Sequence, residues 1–220
     1  MQQLMQGKTI VYDAITVKRE GGFAFDVWHQ NHYIPSVLAG GQMLNMQCYG
    51  SPLRATYVSV FESNVEARLL QGTLPLPMHE SIMSTERHIA TFVNQQYAPN
   101  TGDPFHDTPI LYPVLFSVPA DNKAGEKDFD AWYDEEHLGI LLKSPHWPMC
   151  RRFKVHAPAA EGGTPQWTHI ALHYLRDLRA LESPERDEAR ATPWRARLAQ
   201  HAWFKGDYRV LHKFGPRRTS

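Results

Sequence analysis

A 25-residue segment that occurs twice constrains the fold of this chain more than any other sequence feature. One copy runs from Phe25 to Tyr49 and the other from Phe129 to Phe153, and they align without a gap at a spacing of 104 residues. Four aligned pairs are identical, namely Phe25/Phe129, Asp26/Asp130, Trp28/Trp132 and Leu38/Leu142. Each copy has the pattern of an amphipathic helix, a short break and a strand, which predicts an internal duplication.

The order of predicted elements is the same around each copy. Segments rich in β-branched and apolar residues, Thr9–Val17 and Ile110–Val118, predict a strand before each helix, and further strands follow both copies. We therefore predict an α+β protein of two ferredoxin-like β-α-β-β-α-β repeats, packed sheet to sheet as an α+β barrel with the helices outside. The proline-rich segment 99–109 is the predicted linker between a first repeat, residues 1–98, and a second repeat, residues 110–220.

Local patterns add expectations about particular segments. Pro35 is expected to kink or end the first helix, Ser81–Glu86 to form a short helix, and the basic C-terminal tail to fray. Alternation along the strand Thr168–Leu175 predicts two faces. The face expected to pack on the helices consists of Ile170, Leu172 and Tyr174. The face expected to line a polar barrel interior consists of His169, Ala171 and His173, with Tyr57, Ser59 and Phe61 in the corresponding place of the first repeat.

Composition and charge argue against several classes of partner. Basic and acidic residues number 23 each, and no concentrated basic patch of the kind that nucleic-acid binding requires is present. No apolar run is long enough to span a membrane, and the N-terminus lacks the apolar core of a signal peptide. Because Cys48 and Cys150 are then expected to be reduced, we predict a cytoplasmic protein with a small-molecule partner. Homodimerisation stays open.

The second copy carries a more specific pattern, F-x-x-W-Y-x-x-E-H, followed by L-L and an R-R-F strand. This pattern resembles the EthD-like branch of the dimeric α+β barrel superfamily, although Gly139 stands where that family usually has proline. The resemblance implies a fused barrel related to lactone isomerases, polyketide cyclases and dehydratases, quinone-forming monooxygenases and haem-degrading enzymes. The matching residues are Phe129, Trp132, Tyr133, Glu136, His137, Leu141, Leu142, Arg152 and Phe153. The first copy matches in pattern only, with Tyr33 at the position of the histidine.

His137 is the leading candidate for catalysis. Helical spacing places it on an apolar face, where loss of water lowers the pKa of an imidazole and favours the neutral base. Such a base can abstract a proton next to a carbonyl or from a phenol. Tyr133 and Arg152 are predicted to complete the catalytic set by stabilising the oxyanion that forms. The alternative for each of the three is a structural role in packing or in a surface ion pair.

A second group of side chains is predicted to bind the substrate. Its members are polar or aromatic residues on the two repeated helices and on the strands beside them. They are His169, His173, Arg151, Trp132, His32, Tyr33 and Tyr57. An arginine fork on the R-R-F strand suits a carboxylate or an enolate. Packing in the core or contact with solvent is the alternative for each.

No metal and no cofactor is expected from the motifs. His29 and His32 are spaced to share a metal ion on a helix, but no acidic or cysteine partner stands at a usual spacing and no H-E-x-x-H is present. No phosphate loop and no G-x-G-x-x-G motif occurs. Haem ligation through a histidine stays open, because no pattern selects one histidine.

The sequence hypothesis is a cofactor-independent lyase or isomerase. His137 would act as general acid and base on a small aromatic, lactone or polyketide-like metabolite. Two alternatives from other classes stay open. One is a non-catalytic module that binds a small apolar metabolite, and the other is a haem- or oxygen-linked monooxygenase.

Overall fold

The computed structural model describes residues 7–51, 55–99, 101–103, 105, 107–157 and 167–219. Its strands are β1 (Thr9–Val17), β2 (Asn45–Ser51), β3 (Thr56–Ser63), β4 (Ile82–Tyr97), β5 (Ile110–Phe116), β6 (Met149–Ala157), β7 (His169–Leu175), β8 (Asp207–Tyr208) and β9 (Leu211–Thr219). Two long helices contain a central π-helical turn. They are α1 (Gly22–Trp28, His29–Tyr33 and Ile34–Ala39) and α3 (Lys123–Ala131, Trp132–His137 and Leu138–Leu141). The shorter helices are α2 (Ala67–Leu70), α4 (Pro184–Ala191) and α5 (Pro193–Leu198). Within these described ranges, no helix has the length and apolar character needed to cross a membrane.

Eight of the strands close into an antiparallel barrel. Neighbouring strands follow the order β7-β6-β4-β1-β3-β2-β9-β5, and β5 pairs back with β7 to complete the ring. The two-residue strand β8 pairs with β5 beside β9. The chain therefore has a mixed α+β fold in which an eight-stranded antiparallel barrel carries its helices on the outside.

The hydrophobic core has an inner layer and two outer layers. Side chains such as Tyr12 of β1 and Leu172 of β7 fill the interior of the barrel. Outside the barrel, α1 packs on the outward face of β1, β2 and β3, and α3 packs on that of β5, β6 and β7. Each strand therefore buries both of its faces, which explains why β1, β5 and β7 are buried along almost their whole length.

The predicted assignment of faces along β7 is wrong. Ile170, Leu172 and Tyr174 fill the barrel interior, while His173 contacts α3 from outside through Tyr133. The first half shows the same reversal, because Phe61 packs with the α1 layer. The barrel is filled mainly by large apolar and aromatic side chains, so the polar face of β7 turns outward to meet hydrogen-bonding groups under α3.

Three local expectations are also corrected. Pro35 does not break α1, because it lies in the first turn of the segment Ile34–Ala39, where a missing N–H is tolerated. Segment 81–86 is not helical, since β4 begins at Ile82 and pairs with β1. The basic tail does not fray within the described residues, because β9 extends to Thr219 and pairs with Asn45 of β2.

A buried ion pair crosses the barrel interior. The Arg151 guanidinium on β6 binds the Glu62 carboxylate on β3, and the two side chains are 1% and 0% exposed. Glu62 Oε2 also accepts a hydrogen bond of 2.7 Å from the main-chain N–H of Gly7. The guanidinium lies 5.0 Å from the ring centroid of Phe153. Both charges are therefore compensated inside the barrel, which is the condition for tolerating them there.

Glu62→Gln should strongly destabilise the fold. The variant leaves the Arg151 charge buried without its counter-ion, a change that costs about 3–5 kcal/mol in other buried pairs. Urea unfolding measures the loss. Glu66→Gln is the matched control, because Glu66 and Arg68 form an exposed pair with 65% and 69% of the side chains accessible, and its effect should stay within about 0.5 kcal/mol. Equal effects of the two variants would contradict this account of Arg151.

Candidate functional site

A cavity of about 180 Å³ lies outside the barrel, between α3 and the strands β5 and β7. Its walls are mostly aromatic, and three arginines from α4 and α5 join them. The aromatic lining residues are Tyr112, Phe116, Trp132, Tyr133, Trp147, Phe204 and Tyr208. Two histidines, His137 and His173, also line the cavity.

The π-helical turn of α3 brings three functional side chains together. An Asn122 side chain caps the helix by accepting a 2.9 Å hydrogen bond from the Gly125 N–H. The turn Trp132–His137 then places the rings of Trp132, Tyr133 and His137 beside the cavity. The His137 ring centroid lies 4.4 Å from that of Trp132 and 5.1 Å from that of Tyr133. Single π turns of this kind often occur at functional sites.

His137 is neutral at physiological pH. The pKa of His137 is lowered to about 3. Burial is the main cause and the positive charge of Arg195 adds to it, while a backbone hydrogen bond with Ala189 opposes the shift. A neutral imidazole has one N–H and one lone pair. The ring can therefore accept a hydrogen bond or a proton from a ligand in the cavity.

A hydrogen-bond chain fixes the direction of the Tyr133 hydroxyl. Trp147 Nε1 donates to His173 Nδ1 at 3.1 Å, and an indole can only donate. Burial lowers the pKa of His173 well below its usual value, so this ring is neutral and its one proton lies on Nε2. His173 Nε2 is 2.9 Å from the Tyr133 oxygen and must donate to it. The hydroxyl hydrogen of Tyr133 is then free to point to a ligand.

Tyr133 also keeps its proton. Burial raises the pKa of Tyr133 well above its ordinary value. The hydroxyl therefore remains a hydrogen-bond donor across the physiological range. Trp132 offers a second donor, because its Nε1 is buried and makes no hydrogen bond to any described residue. Buried donors without a partner are rare in proteins, and a ligand oxygen is one way to satisfy them.

Arg152 supports Tyr133 from the side away from the cavity. Its guanidinium pairs with Asp130 and Asp134 and lies 4.6 Å from the centroid of the Tyr133 ring. Arg152 is 3% exposed and does not line the cavity. The predicted direct contact of Arg152 with an oxyanion is therefore not supported, and its place favours holding the phenol ring in position.

The structure brings together four of the predicted site residues and separates the others. Trp132, Tyr133, His137 and His173 all line the cavity. Arg151 lies inside the barrel with Glu62. His169 faces the N-terminal part of α3, with its Nε2 3.7 Å from the Glu126 carboxylate. Its Nδ1 is 2.9 Å from the Thr168 hydroxyl.

The predicted site residues of the first half do not reach this cavity. His32 is exposed on α1. Tyr33 is buried beside Asp13 and Arg87, and the Arg87 Nη2 donates to the Tyr33 oxygen at 2.6 Å. Tyr57 lines a separate open cleft of about 570 Å³.

Sequence reasoning missed the far wall of the cavity. Trp147 and the residues of α4, α5 and the final strands are absent from the predicted site residues. The available signal was the pair of capped helix starts at Ser183 and Thr192, which place Arg186, Arg190 and Arg195 close together in the chain. In the described part of the chain, no group of three or more histidine, cysteine, aspartate or glutamate residues is arranged to hold a metal ion.

Haem does not fit this cavity. Pockets for drug-sized ligands enclose roughly 300–1,000 Å³, whereas this cavity encloses about 180 Å³. Both ring nitrogens of His173 already make hydrogen bonds, and the His137 ring stacks against Trp132. His173 therefore has no free nitrogen for a porphyrin iron, and the cavity beside His137 is too small for a porphyrin. A molecule of one or two aromatic rings is the appropriate size.

Comparison with known proteins identifies the fold. No family model and no curated protein sequence matches the chain. A structure described as an anthrone oxidase-like protein has a TM-score of 0.68 at 11% identity, covering 97% of this chain and 94% of its own. A mutant chlorite dismutase from Candidatus Nitrospira defluvii in complex with cyanide has a TM-score of 0.55 at 10% identity, covering 96% and 92%. A proposed monooxygenase from Lactobacillus acidophilus NCFM has a TM-score of 0.53 at 10% identity, covering 94% of both chains.

These likenesses show that the chain shares the α+β barrel fold of these structures. They also bear on the expected reaction. The similar structures are named as an oxidase-like protein, a dismutase and a monooxygenase, and none is named as a lyase or an isomerase. The prediction of a cofactor-independent lyase or isomerase is therefore wrong, and the alternative of a haem- or oxygen-linked monooxygenase is the better supported one.

Acid should destabilise the protein through His137. The pKa of His137 is about 3 in the folded chain and 6.5 as the ordinary value, so below pH 6.5 the unfolded state binds a proton that the folded state does not. Stability is then lost as the pH falls. His137→Gln should lose about 1–2 kcal/mol less than the wild type between pH 7 and pH 5, measured by urea unfolding. His156→Gln, at an exposed position of β6, should follow the wild type. An equal loss in His137→Gln would contradict the assignment.

Proposed function

We propose that the chain is an oxygen-linked monooxygenase that oxidises a small phenol in the cavity beside α3. The observation that carries this proposal is the pairing of a neutral imidazole, His137, with a hydroxyl donor, Tyr133, in an aromatic cavity. The centroids of the two rings are 5.1 Å apart. One phenol oxygen could therefore contact both side chains. The fold shared with an anthrone oxidase-like protein supports the same reaction class.

His137 acts as the general base in this proposal. The ring nitrogen that is not engaged with Ala189 accepts the phenol proton. Tyr133 donates its free hydroxyl hydrogen to the phenolate oxygen as negative charge develops there. The imidazolium and the phenolate form side by side, and their attraction in a site of low water content offsets the low basicity of the ring.

The phenolate supplies the electrons for oxygen reduction. Deprotonation makes the ring electron-rich, and the carbon para to the oxygen is the atom that becomes oxidised. For 1-naphthol as a probe, one O₂ converts the phenol to 1,4-naphthoquinone. One oxygen atom forms the new carbonyl group, and the other leaves as water with the hydroxyl hydrogen and the para hydrogen. The ring provides all four electrons, so no external reductant is needed.

Oxygen uptake with 1-naphthol tests the proposal. The wild type should consume one O₂ for each 1,4-naphthoquinone formed, measured with an oxygen electrode and by chromatography. His137→Ala should lower kcat about 10²- to 10⁴-fold, the usual contribution of a general base. His156→Ala changes an exposed histidine on β6 and should leave kcat unchanged. Absence of uptake by the wild type, or equal turnover by His137→Ala, would overturn the proposal.

Trp147→Phe should impair catalysis through His173. The variant removes the 3.1 Å hydrogen bond to His173 Nδ1, so the ring can place its proton on either nitrogen and Tyr133 can turn toward it. We expect kcat to fall about tenfold with KM unchanged, since about one hydrogen bond is lost. Nitrogen NMR should show a second His173 tautomer. Trp194→Phe also removes an indole hydrogen bond, 3.0 Å to Asp128, and is the matched control. A pure Nε2–H tautomer in Trp147→Phe would contradict the positioning role.

We further propose that the chain is an internally duplicated, EthD-like protein. Residues 1–98 and 110–220 would be its ferredoxin-like repeats, with 99–109 as the linker. The strand order β4-β1-β3-β2 in one half and β9-β5-β7-β6 in the other supports this division, as does the π-helical turn in both α1 and α3. Tyr33 stands at the position that aligns with His137. Its hydroxyl hydrogen-bonds with Asp13 and Arg87. The first repeat then has a structural role.

A further inference from the structure

Three arginines converge on the cavity from α4 and α5. The Ser183 hydroxyl caps α4 by accepting from the Arg186 N–H, and the Thr192 hydroxyl caps α5 by accepting from the Arg195 N–H. Arg186 and Arg190 are four residues apart and share one face of α4. Arg195 follows in the first turn of α5. The two caps fix the first turns of the helices that carry the three arginines, and all three side chains line the cavity.

No carboxylate in the described part of the chain forms an ion pair with these arginines. Their hydrogen bonds go to neutral groups. Arg186 Nη1 donates to the Leu181 carbonyl at 2.8 Å, and Arg195 Nη1 donates to the Arg190 carbonyl at 3.3 Å. Arg186 also hydrogen-bonds the Tyr112 hydroxyl.

Three acidic residues near these helices bind other cations. Glu188 of α4 lies 3.4 Å from Lys143, and Asp207 lies 3.2 Å from Arg209. Asp128 of α3 binds Arg197 at 2.7 Å.

The like charges of the three arginines repel one another. Burial lowers the pKa of Arg195, and the neighbouring charges of Arg190 and Arg186 lower it further. The same Arg195 charge lowers the pKa of His137. An anion bound among the arginines would offset both effects, so it would also make His137 a stronger base for the substrate that carries it.

We infer that the natural substrate is a phenol that also carries a carboxylate, which Arg186, Arg190 and Arg195 bind. The inference rests on the proposed function for the phenol group alone. The arginines line the same cavity as the Tyr133–His137 pair, and the aromatic ring would pack against lining residues such as Trp132, Phe116 and Phe204. An arginine fork matches a carboxylate with two parallel hydrogen bonds. The cavity therefore selects a hydroxylated aromatic acid of one or two rings.

Binding of matched naphthalene probes tests this inference. 5-Hydroxy-2-naphthoate, its neutral methyl ester and 1-naphthol share one ring system and differ in charge. By calorimetry under argon, the acid should bind the wild type at least about tenfold more tightly than either neutral probe, because its hydrogen bonds are charge-assisted. The advantage should shrink as sodium chloride is raised, since Arg190 is exposed to solvent and its charge is screened by salt.

Two variants locate the contact. Arg190→Gln and Arg195→Gln should each weaken binding of the acid about tenfold and leave binding of 1-naphthol unchanged. Arg197→Gln is the matched control, because Arg197 lies on α5 but pairs with Asp128. Equal affinity for the acid and its ester, no measurable binding of the acid, or no effect of Arg190→Gln and Arg195→Gln would each overturn the inference.

Oxygen uptake separates this inference from the proposed function. Arginine-dependent binding of the acid without oxygen uptake would overturn the oxidation chemistry and support the anion site. His137-dependent oxygen uptake from 1-naphthol without any preference for the acid would support the oxidation chemistry and overturn the anion site.

Discussion

The pairing of β5 with β7 closes the barrel, and the arrangement of the other layers depends on it. In this pairing Tyr112 lies opposite His173, and both side chains point out of the barrel to line the cavity. The neighbouring residues Leu111 and Leu172 point inward and fill the barrel core. The interior is occupied by apolar side chains and the Arg151–Glu62 pair, and the cavity lies outside it, between the barrel and α3.

The cavity combines two sets of polar side chains with an aromatic wall. Tyr133 and His137 offer a hydrogen-bond donor and an acceptor for one oxygen atom, with His173 setting the direction of the Tyr133 hydroxyl. Arg186 and Arg195 line the same cavity and have no ion-pair partners in the described chain. An aromatic ring with a hydroxyl group and an acidic group complements these side chains, since each polar group of the wall would gain a partner.

The sequence predicted the elements of this site better than their relation in space. Helical spacing correctly identified the face of α3 that carries Tyr133 and His137, and the alternation in β7 was correct. Alternation does not say which face points inward, and the assumption of a polar barrel interior placed His173 on the wrong side. The contact of His173 with Trp147 joins residues 26 positions apart, which no local pattern reveals. The reaction class was also missed, because a buried histidine and a tyrosine suit isomerisation and oxidation equally well.

A crystal structure of the chain with 5-hydroxy-2-naphthoate, grown without oxygen, tests the central claim most directly. The account predicts the ligand in the cavity beside α3. Its hydroxyl oxygen should lie within about 3.2 Å of the Tyr133 hydroxyl and of a ring nitrogen of His137, the normal range for hydrogen bonds. Its carboxylate should contact the arginines of α4 and α5. A ligand bound with its hydroxyl group away from Tyr133 and His137, or in the cleft beside Tyr57, would contradict the account.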